Sequence, residues 1–203
     1  MSIKIILFCI LLSGYNICQS QTFSRVHFKI SDTKTSIVLA ELFVDNISIE
    51  IDDNGNILSF NYLPGGTFDY WSPTSVNAGK LMSMGNMTID YWSPTSVNGN
   101  KLRSIGNLNI DYWSPSSVNG NKLRSIGDIN FDYWSPTSDN ASKLRSVGNI
   151  DIDYWSNTSD NHGRIRSIGN VSIDYWSSTA VNAGKLRSIE GNTQYVYGDK
   201  SIS

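Results

Sequence analysis

Apolar and polar positions recur with a period of 21 along most of the chain, and the start of each period is Asp-Tyr-Trp-Ser, at Asp69, Asp90, Asp111, Asp132, Asp153 and Asp174. Six copies without insertion or deletion define a repeat protein. In the second copy, Lys101 to Ile105 and Leu108 to Trp113 flank Gly106-Asn107, a pair suited to the two-residue turn that joins antiparallel strands. Pairing outward from that turn sets Ile105 opposite Leu108, Arg103 opposite Ile110 and Lys101 opposite Tyr112 on one face. Ser104, Asn109, Leu102, Asp111 and Trp113 fall on the other, because side chains alternate along a strand. The first face is apolar with basic stems lying across it, and it alone can make a continuous core.

Ahead of the copies, Arg25 to Ser31 alternates as a half-buried strand. Ile37 to Val44 and Ile47 to Ile51 flank the turn pair Asp45-Asn46 and predict a hairpin whose Ile47, Ile49 and Ile51 share a face. Asp53-Asn54-Gly55-Asn56 is the next turn, and Ile57 to Phe60 is similar to the Leu-Arg-Ser-Ile of the copies. Residues 21–66 are therefore read as a divergent N-terminal cap, made acidic by Glu41, Asp45, Glu50, Asp52 and Asp53 as suits a solvated end. Residues 67–192 hold the six copies. Residues 193–203 supply a last strand, Thr193 to Tyr197, and a polar tail. No stretch of useful length carries helical periodicity, so the class is all-β.

Two architectures suit such a repeat: a meander of hairpins forming a twisted, curled sheet, or a β-solenoid with one coil per copy. The tight Gly-Asn turn favours the meander, in which equivalent residues recur about every 10 Å. A solenoid would also stack six aspartates in one row, and like charges directly opposite repel.

Composition changes this picture in three places. Lys4, the apolar run Ile5 to Leu12 and the ending Cys18-Gln19-Ser20 form a signal peptide with a cut expected after Ser20, which implies a secreted or extracytoplasmic protein. Eight apolar residues are too few for a transmembrane anchor, which needs roughly 20. Cys9 and Cys18 are the two cysteines, so the chain from Gln21 offers no disulfide and no thiolate chemistry. A net charge of -2 gives no electrostatic reason to expect nucleic acid as a partner.

A tyrosine followed by an Asn-Gly turn, a basic residue, Leu, one residue, Ser, Ile and Gly is similar to the tyrosine-aspartate (YD, Rhs-type) repeats of secreted bacterial proteins, and more loosely to MORN repeats. Gly163-Arg164-Ile165-Arg166-Ser167-Ile168-Gly169 is the closest copy, and the resemblance covers residues 51–191. It implies an extracytoplasmic array of β-hairpins. The chain departs from that pattern in its Asp-Tyr order, its longer connecting loop, and a Gly before the basic residue only in some copies, at Gly79, Gly163 and Gly184.

Candidate chemistry is sparse. His27 and His162 are the only histidines and lie far apart in sequence, and no set of nucleophile, base and orienting group stands out. The chain is read as non-enzymatic, with no cofactor or metal. Each repeated Asp lies near basic strands, Asp111 near Lys101, Arg103, Lys122 and Arg124, which points to charge pairing. The Asn shared by all copies, Asn77, Asn98, Asn119, Asn140, Asn161 and Asn182, suits a left-handed or side-chain-bonded turn. One feature could carry binding. Trp71, Trp92, Trp113, Trp134, Trp155 and Trp176 each follow a tyrosine, and neighbouring residues point to opposite faces, so a core Tyr places Trp on the other side as a ladder. Such a ladder is either exposed, ready to stack on a polysaccharide, or covered by Pro94, Val97 and Leu102 as a second core. The expected function is a structural or adhesive module for a polysaccharide or cell-surface protein, with carbohydrate binding through the Tyr-Trp ladder as the alternative.

Overall fold

The computed structural model describes residues 23–31, 39–192 and 196–199. Residues 1–22, including the expected leader and its cut after Ser20, lie outside the described residues, as do Ile37, Val38 and residues 193–195. Everything described is strand, turn or loop. The strands are β1 (Phe23–Ser31), β2 (Ala40–Val44), β3 (Ile47–Ile51), β4 (Ile57–Tyr62), β5 (Phe68–Tyr70), β6 (Leu81–Met84), β7 (Met87–Tyr91), β8 (Leu102–Ile105), β9 (Leu108–Tyr112), β10 (Leu123–Ile126), β11 (Ile129–Tyr133), β12 (Leu144–Val147), β13 (Ile150–Tyr154), β14 (Ile165–Ile168), β15 (Val171–Tyr175), β16 (Leu186–Glu190) and β17 (Val196–Asp199).

Strands β5 to β16 form one sheet in which every strand pairs with its sequence neighbours, an antiparallel meander. The solenoid alternative is thereby excluded. Turns of Gly-Asn type close each hairpin as expected, with Ile105 opposite Leu108. Gly106 has φ of 56° while Asn107 does not take a positive φ, the arrangement of a type II′ turn whose first central residue must be Gly.

The expected division of the two faces needs correction. Tyr91 pairs with Leu102 and Asp90 with Ser104, which leaves Arg103 unopposed as a β-bulge. The same irregularity falls at Arg124, Arg145, Arg166 and Arg187, and at Met82 in the first copy. A bulge inserts one residue and so shifts the alternation. Leu102 thus joins Ile105, Leu108 and Ile110 in the core, and Arg103 turns outward to solvent.

Strands β1 to β4 and β17 make a second sheet in the order β17-β1-β2-β3-β4, with β17 parallel to β1. The hairpin at Asp45-Asn46 is as expected, Val44 opposite Ile47, and Ile47, Ile49 and Ile51 are buried together. Its place differs from that of a terminal cap. The sheet lies against the apolar face of the array, and the buried side chains of both sheets form a single core. Leu144 N–H donates to the Asp53 carbonyl at 2.7 Å, and Lys143 Nζ sits 3.4 Å from Asp53 Oδ2. Gly55 lies so close under Tyr133 that a Cβ there would be 2.0 Å from the phenol oxygen. Asp53 therefore docks onto the array instead of marking a solvated end. The last strand also ends later than expected, taking in Gly198, whose backbone rests on Leu186 and Ile189.

Candidate functional site

Each copy presents three surfaces: an inner face toward the second sheet, an outer face, and a loop edge. On the inner face the tyrosines grade from exposed to buried. Tyr70 is 61% exposed, Tyr91 and Tyr112 are half-buried, and Tyr133, Tyr154 and Tyr175 are buried. Burial pushes the Tyr112, Tyr133 and Tyr154 phenols up from their ordinary range, with nearby carboxylates of Asp52 and Asp132 adding to the effect at Tyr133. Tyr133 Oη donates to the Leu123 carbonyl at 2.8 Å.

A cation from the preceding copy covers each of these rings. Lys80 Nζ lies 4.7 Å from the centroid of Tyr91, Lys101 4.6 Å from Tyr112, Lys122 4.4 Å from Tyr133 and Lys143 4.7 Å from Tyr154, while the Arg164 guanidinium lies 4.8 Å from Tyr175. Each cation also donates to the carbonyl of a left-handed residue in the next loop. Lys80 reaches Asn100 O at 3.2 Å, Lys101 reaches Asn121 O at 2.6 Å, Lys122 binds Ser142 O, Lys143 reaches Gly163 O at 2.5 Å and Arg164 binds Gly184 O. Asn100, Asn121, Ser142, Gly163 and Gly184 all have positive φ. Burial lowers the Lys101 and Lys122 pKa values, in keeping with ammonium groups drawn against rings.

The repeated Asn proves to be another joint between copies and not a left-handed position. It is buried in the first five copies, and Asn140 and Asn161 donate from Nδ2 to the Tyr154 and Tyr175 carbonyls at 3.5 and 3.3 Å. The left-handed φ falls two residues later instead, on Asn100 and its equivalents. In the sixth copy Asn182 is exposed.

The outer face carries the tryptophans. Trp71, Trp92, Trp113, Trp134 and Trp155 are half-buried, and Trp176 is 38% exposed. The covering pictured from sequence does not form: Val97 is 74% exposed and Leu102 faces the inner core. An arginine guanidinium covers each ring after the first instead, Arg103 at 5.2 Å from Trp92, Arg124 at 5.3 Å from Trp113, Arg145 at 5.6 Å from Trp134, Arg166 at 6.0 Å from Trp155 and Arg187 at 5.2 Å from Trp176. The same arginines pair with the repeated aspartates, Arg103 with Asp90 and Arg124 with Asp111 both at 3.2 Å, and Arg187 with Asp174 at 3.1 Å. These pairs are exposed, so each contributes only ~0.2–1 kcal/mol. The bulge is what brings Arg, Asp and Trp to one side. A shallow depression on this face is lined by Trp155, Arg166, Ser167, Asp174, Ser188 and Glu190.

The loop edge is stiffened by backbone bonds. Trp92 N–H donates to Lys101 O at 2.9 Å and Asn100 N–H to Trp92 O at 3.1 Å, and inside this clasp Ser96, Gly99 and Lys101 each close a turn. Val76, Val97 and Val118 project from three successive loops, 75, 74 and 78% exposed. In the next two loops the position is Asp139 and Asp160, and these carboxylates accept from the following loop: Asp139 from Asn157 Nδ2 at 2.7 Å, Asp160 from Ser178 Oγ at 2.8 Å.

His27 stacks edge-on against Phe43 in the second sheet, and His162 is exposed on a repeat loop, so the structure does not bring the histidines together. Among the described residues no three of His, Cys, Asp and Glu are grouped so as to hold a metal ion, and no helix is long and apolar enough to cross a membrane. No family model, curated protein or solved structure matches the chain.

Proposed function

We propose that the chain is a non-enzymatic, extracytoplasmic module of structural or adhesive character that engages a cell-surface partner along its loop edge. The observation that carries this reading is the row Val76, Val97 and Val118, each about three-quarters exposed on a hydrogen-bonded loop and repeated about every 10 Å. One valine offers little affinity, but a rigid row of equal sites converts each later contact into an intramolecular one. Exposed apolar rows of this kind are typical of interaction surfaces.

The depression beside Trp155 favours a second reading, carbohydrate binding on the outer face, where an indole edge meets Arg166, Asp174 and Glu190. It supports a site near the last copies better than a six-fold stacking ladder, because a guanidinium already occupies one side of the ring in five of the six tryptophans.

One experiment separates them. The triple variant Val76→Asp, Val97→Asp, Val118→Asp copies the residue found at positions 139 and 160, so it keeps the fold by circular dichroism. Loss of adhesion to intact cells in that variant supports the edge reading. Retention on immobilised cellulose, chitin or xylan that survives the triple change and disappears in Trp155→Ala replaces it with the carbohydrate reading.

A further inference from the structure

The two ends of the array are complementary halves of the joint that holds neighbouring copies together, and we propose that the protein assembles head to tail, β16 of one molecule pairing with β5 of a second copy of this chain. The proposal goes beyond the loop-edge reading and does not rest on it.

Among the described residues nothing pairs with the outer edge of β5 or of β16, the two terminal strands of the sheet. The last copy carries every donor of an inter-copy joint with no receiver. Asn182, whose equivalents donate to the next tyrosine's carbonyl, is exposed. Lys185, whose equivalents cover the next tyrosine ring and hold the next left-handed carbonyl, is exposed as well. Val181 is fully open to solvent. The first copy carries every receiver with no donor. Tyr70 is 61% exposed with no cation over its ring, because the position one period before Lys80 is Ser59, in the other sheet. Gly79, with φ of 74°, holds the left-handed position whose carbonyl a lysine grips in later copies.

Loop sequences make the same match independently. Asp139 and Asp160 reach residues 157 and 178 of the following loop, which are Asn and Ser and offer N–H donors: Asn157 N–H at 3.3 Å and Ser178 N–H at 3.3 Å. Where the following loop has proline at this place, at Pro94, Pro115 and Pro136, no backbone N–H exists, and the preceding loop carries Val76, Val97 and Val118 instead. Valine is thus followed by proline and aspartate by a donor throughout the array. The last loop returns to valine at Val181, and the first loop of another molecule presents Pro73. The rule continues across the junction.

The inner side of the junction is already sealed. Gly198 of β17 rests on Leu186 and Ile189 from the core side, so the face of β16 is covered while its edge is not. Unpaired sheet edges are usually blunted by charge, proline or a covering element. Here Lys185 stands beside one edge, but it is also the clamp that the opposite edge lacks. Such a contact joins two different patches, so repetition yields an open filament or a ring and not a closed dimer.

The internal joints give the register. Ser167 lies opposite Ser172 and Ser83 opposite Thr88, which places Ser188 opposite Thr67 of the neighbouring molecule. The test uses the full chain with Cys9→Ser and Cys18→Ser, to which Ser188→Cys and Thr67→Cys are added singly and together, followed by mild oxidation and non-reducing electrophoresis. Head-to-tail assembly gives a ladder of disulfide-linked species in the double variant and monomer in each single one. Adding Lys185→Glu and Val181→Asp, which disturb no contact inside one molecule, is expected to abolish the ladder and leave the circular dichroism spectrum unchanged. A dimer from either single cysteine means edge pairing of like strands and overturns the proposal. So does a sedimentation profile that stays monomeric up to the highest soluble concentration with no cross-linking.

Discussion

Copies one to three and copies four to six share one motif, yet their tyrosines live differently: Tyr70 is open to solvent, while Tyr133, Tyr154 and Tyr175 are buried. The motif does not decide this. Tyr133 lies against Gly55 and its strand neighbour Leu144 is hydrogen-bonded to Asp53, so the turn of the second sheet closes over the later copies. Tyr70 has neither that cover nor a lysine from an earlier copy. A repeat thus specifies its own hairpin, and its burial is set by what lies across it. The loop edge divides similarly, with valine in the first three copies and aspartate in the next two.

The largest expected break in this comparison is alkaline. The Tyr112, Tyr133 and Tyr154 phenols have pKa values raised by burial, whereas in the unfolded chain they ionise near pH 10. Above that pH the unfolded state has given up protons that the folded state keeps, so stability is full below about pH 10 and falls as pH rises, by up to about 1.4 kcal/mol per pH unit for each such group. Urea midpoints measured between pH 8 and 12 should show the fall, and Tyr133→Phe with Tyr154→Phe should flatten it. A profile equally steep in that double variant would mean other groups drive it.

Next in size is the pair Leu144→Ala and Leu81→Ala, equivalent positions on opposite sides of the divide. Leu144 is fully buried beneath the second sheet and should lose about 2–5 kcal/mol, with the half-buried Leu81 losing clearly less. Equal losses in equilibrium unfolding would show that the second sheet adds nothing to the burial of copy four. Smaller again, Tyr133→Phe removes the donor to Leu123 O and should cost about 1 kcal/mol, while Tyr70→Phe, with its hydroxyl in water, should be silent. The smallest effect is Asp139→Val, which unmakes two exposed hydrogen bonds and should shift stability by no more than about 0.5 kcal/mol, the usual range for surface changes.

Much of the array was legible because each element announces itself locally. The period, the Gly106-Asn107 turn, the facing of Ile105 and Leu108, and the opposite sides of Tyr and Trp all follow from strand alternation and turn chemistry. The bulge was missed, although a signal was present. Leu102 and Ile105 are three residues apart in one short strand, and two apolar residues at odd spacing share a face only if an extra residue intervenes. That one residue decided where Arg103 and Leu102 point, and with them the arginine cover over Trp92. The role of the repeated Asn was hidden because its partner, a backbone carbonyl, leaves no trace in sequence. The second sheet's strands were readable from their own alternation, but its docking depends on a close approach of Gly55 to Tyr133, and nothing local encodes a contact between such distant positions.

The cations that join one copy to the next grip a main-chain oxygen. The gripped residue is Asn at 100 and 121, Ser at 142 and Gly at 163 and 184, and the joint is the same each time. Its identity matters only as far as it tolerates a left-handed backbone. Spelling can therefore drift in the loops while the frame beneath them keeps its register. Such a protein is free to revise what it shows to its surroundings, one loop at a time, without renegotiating how it folds.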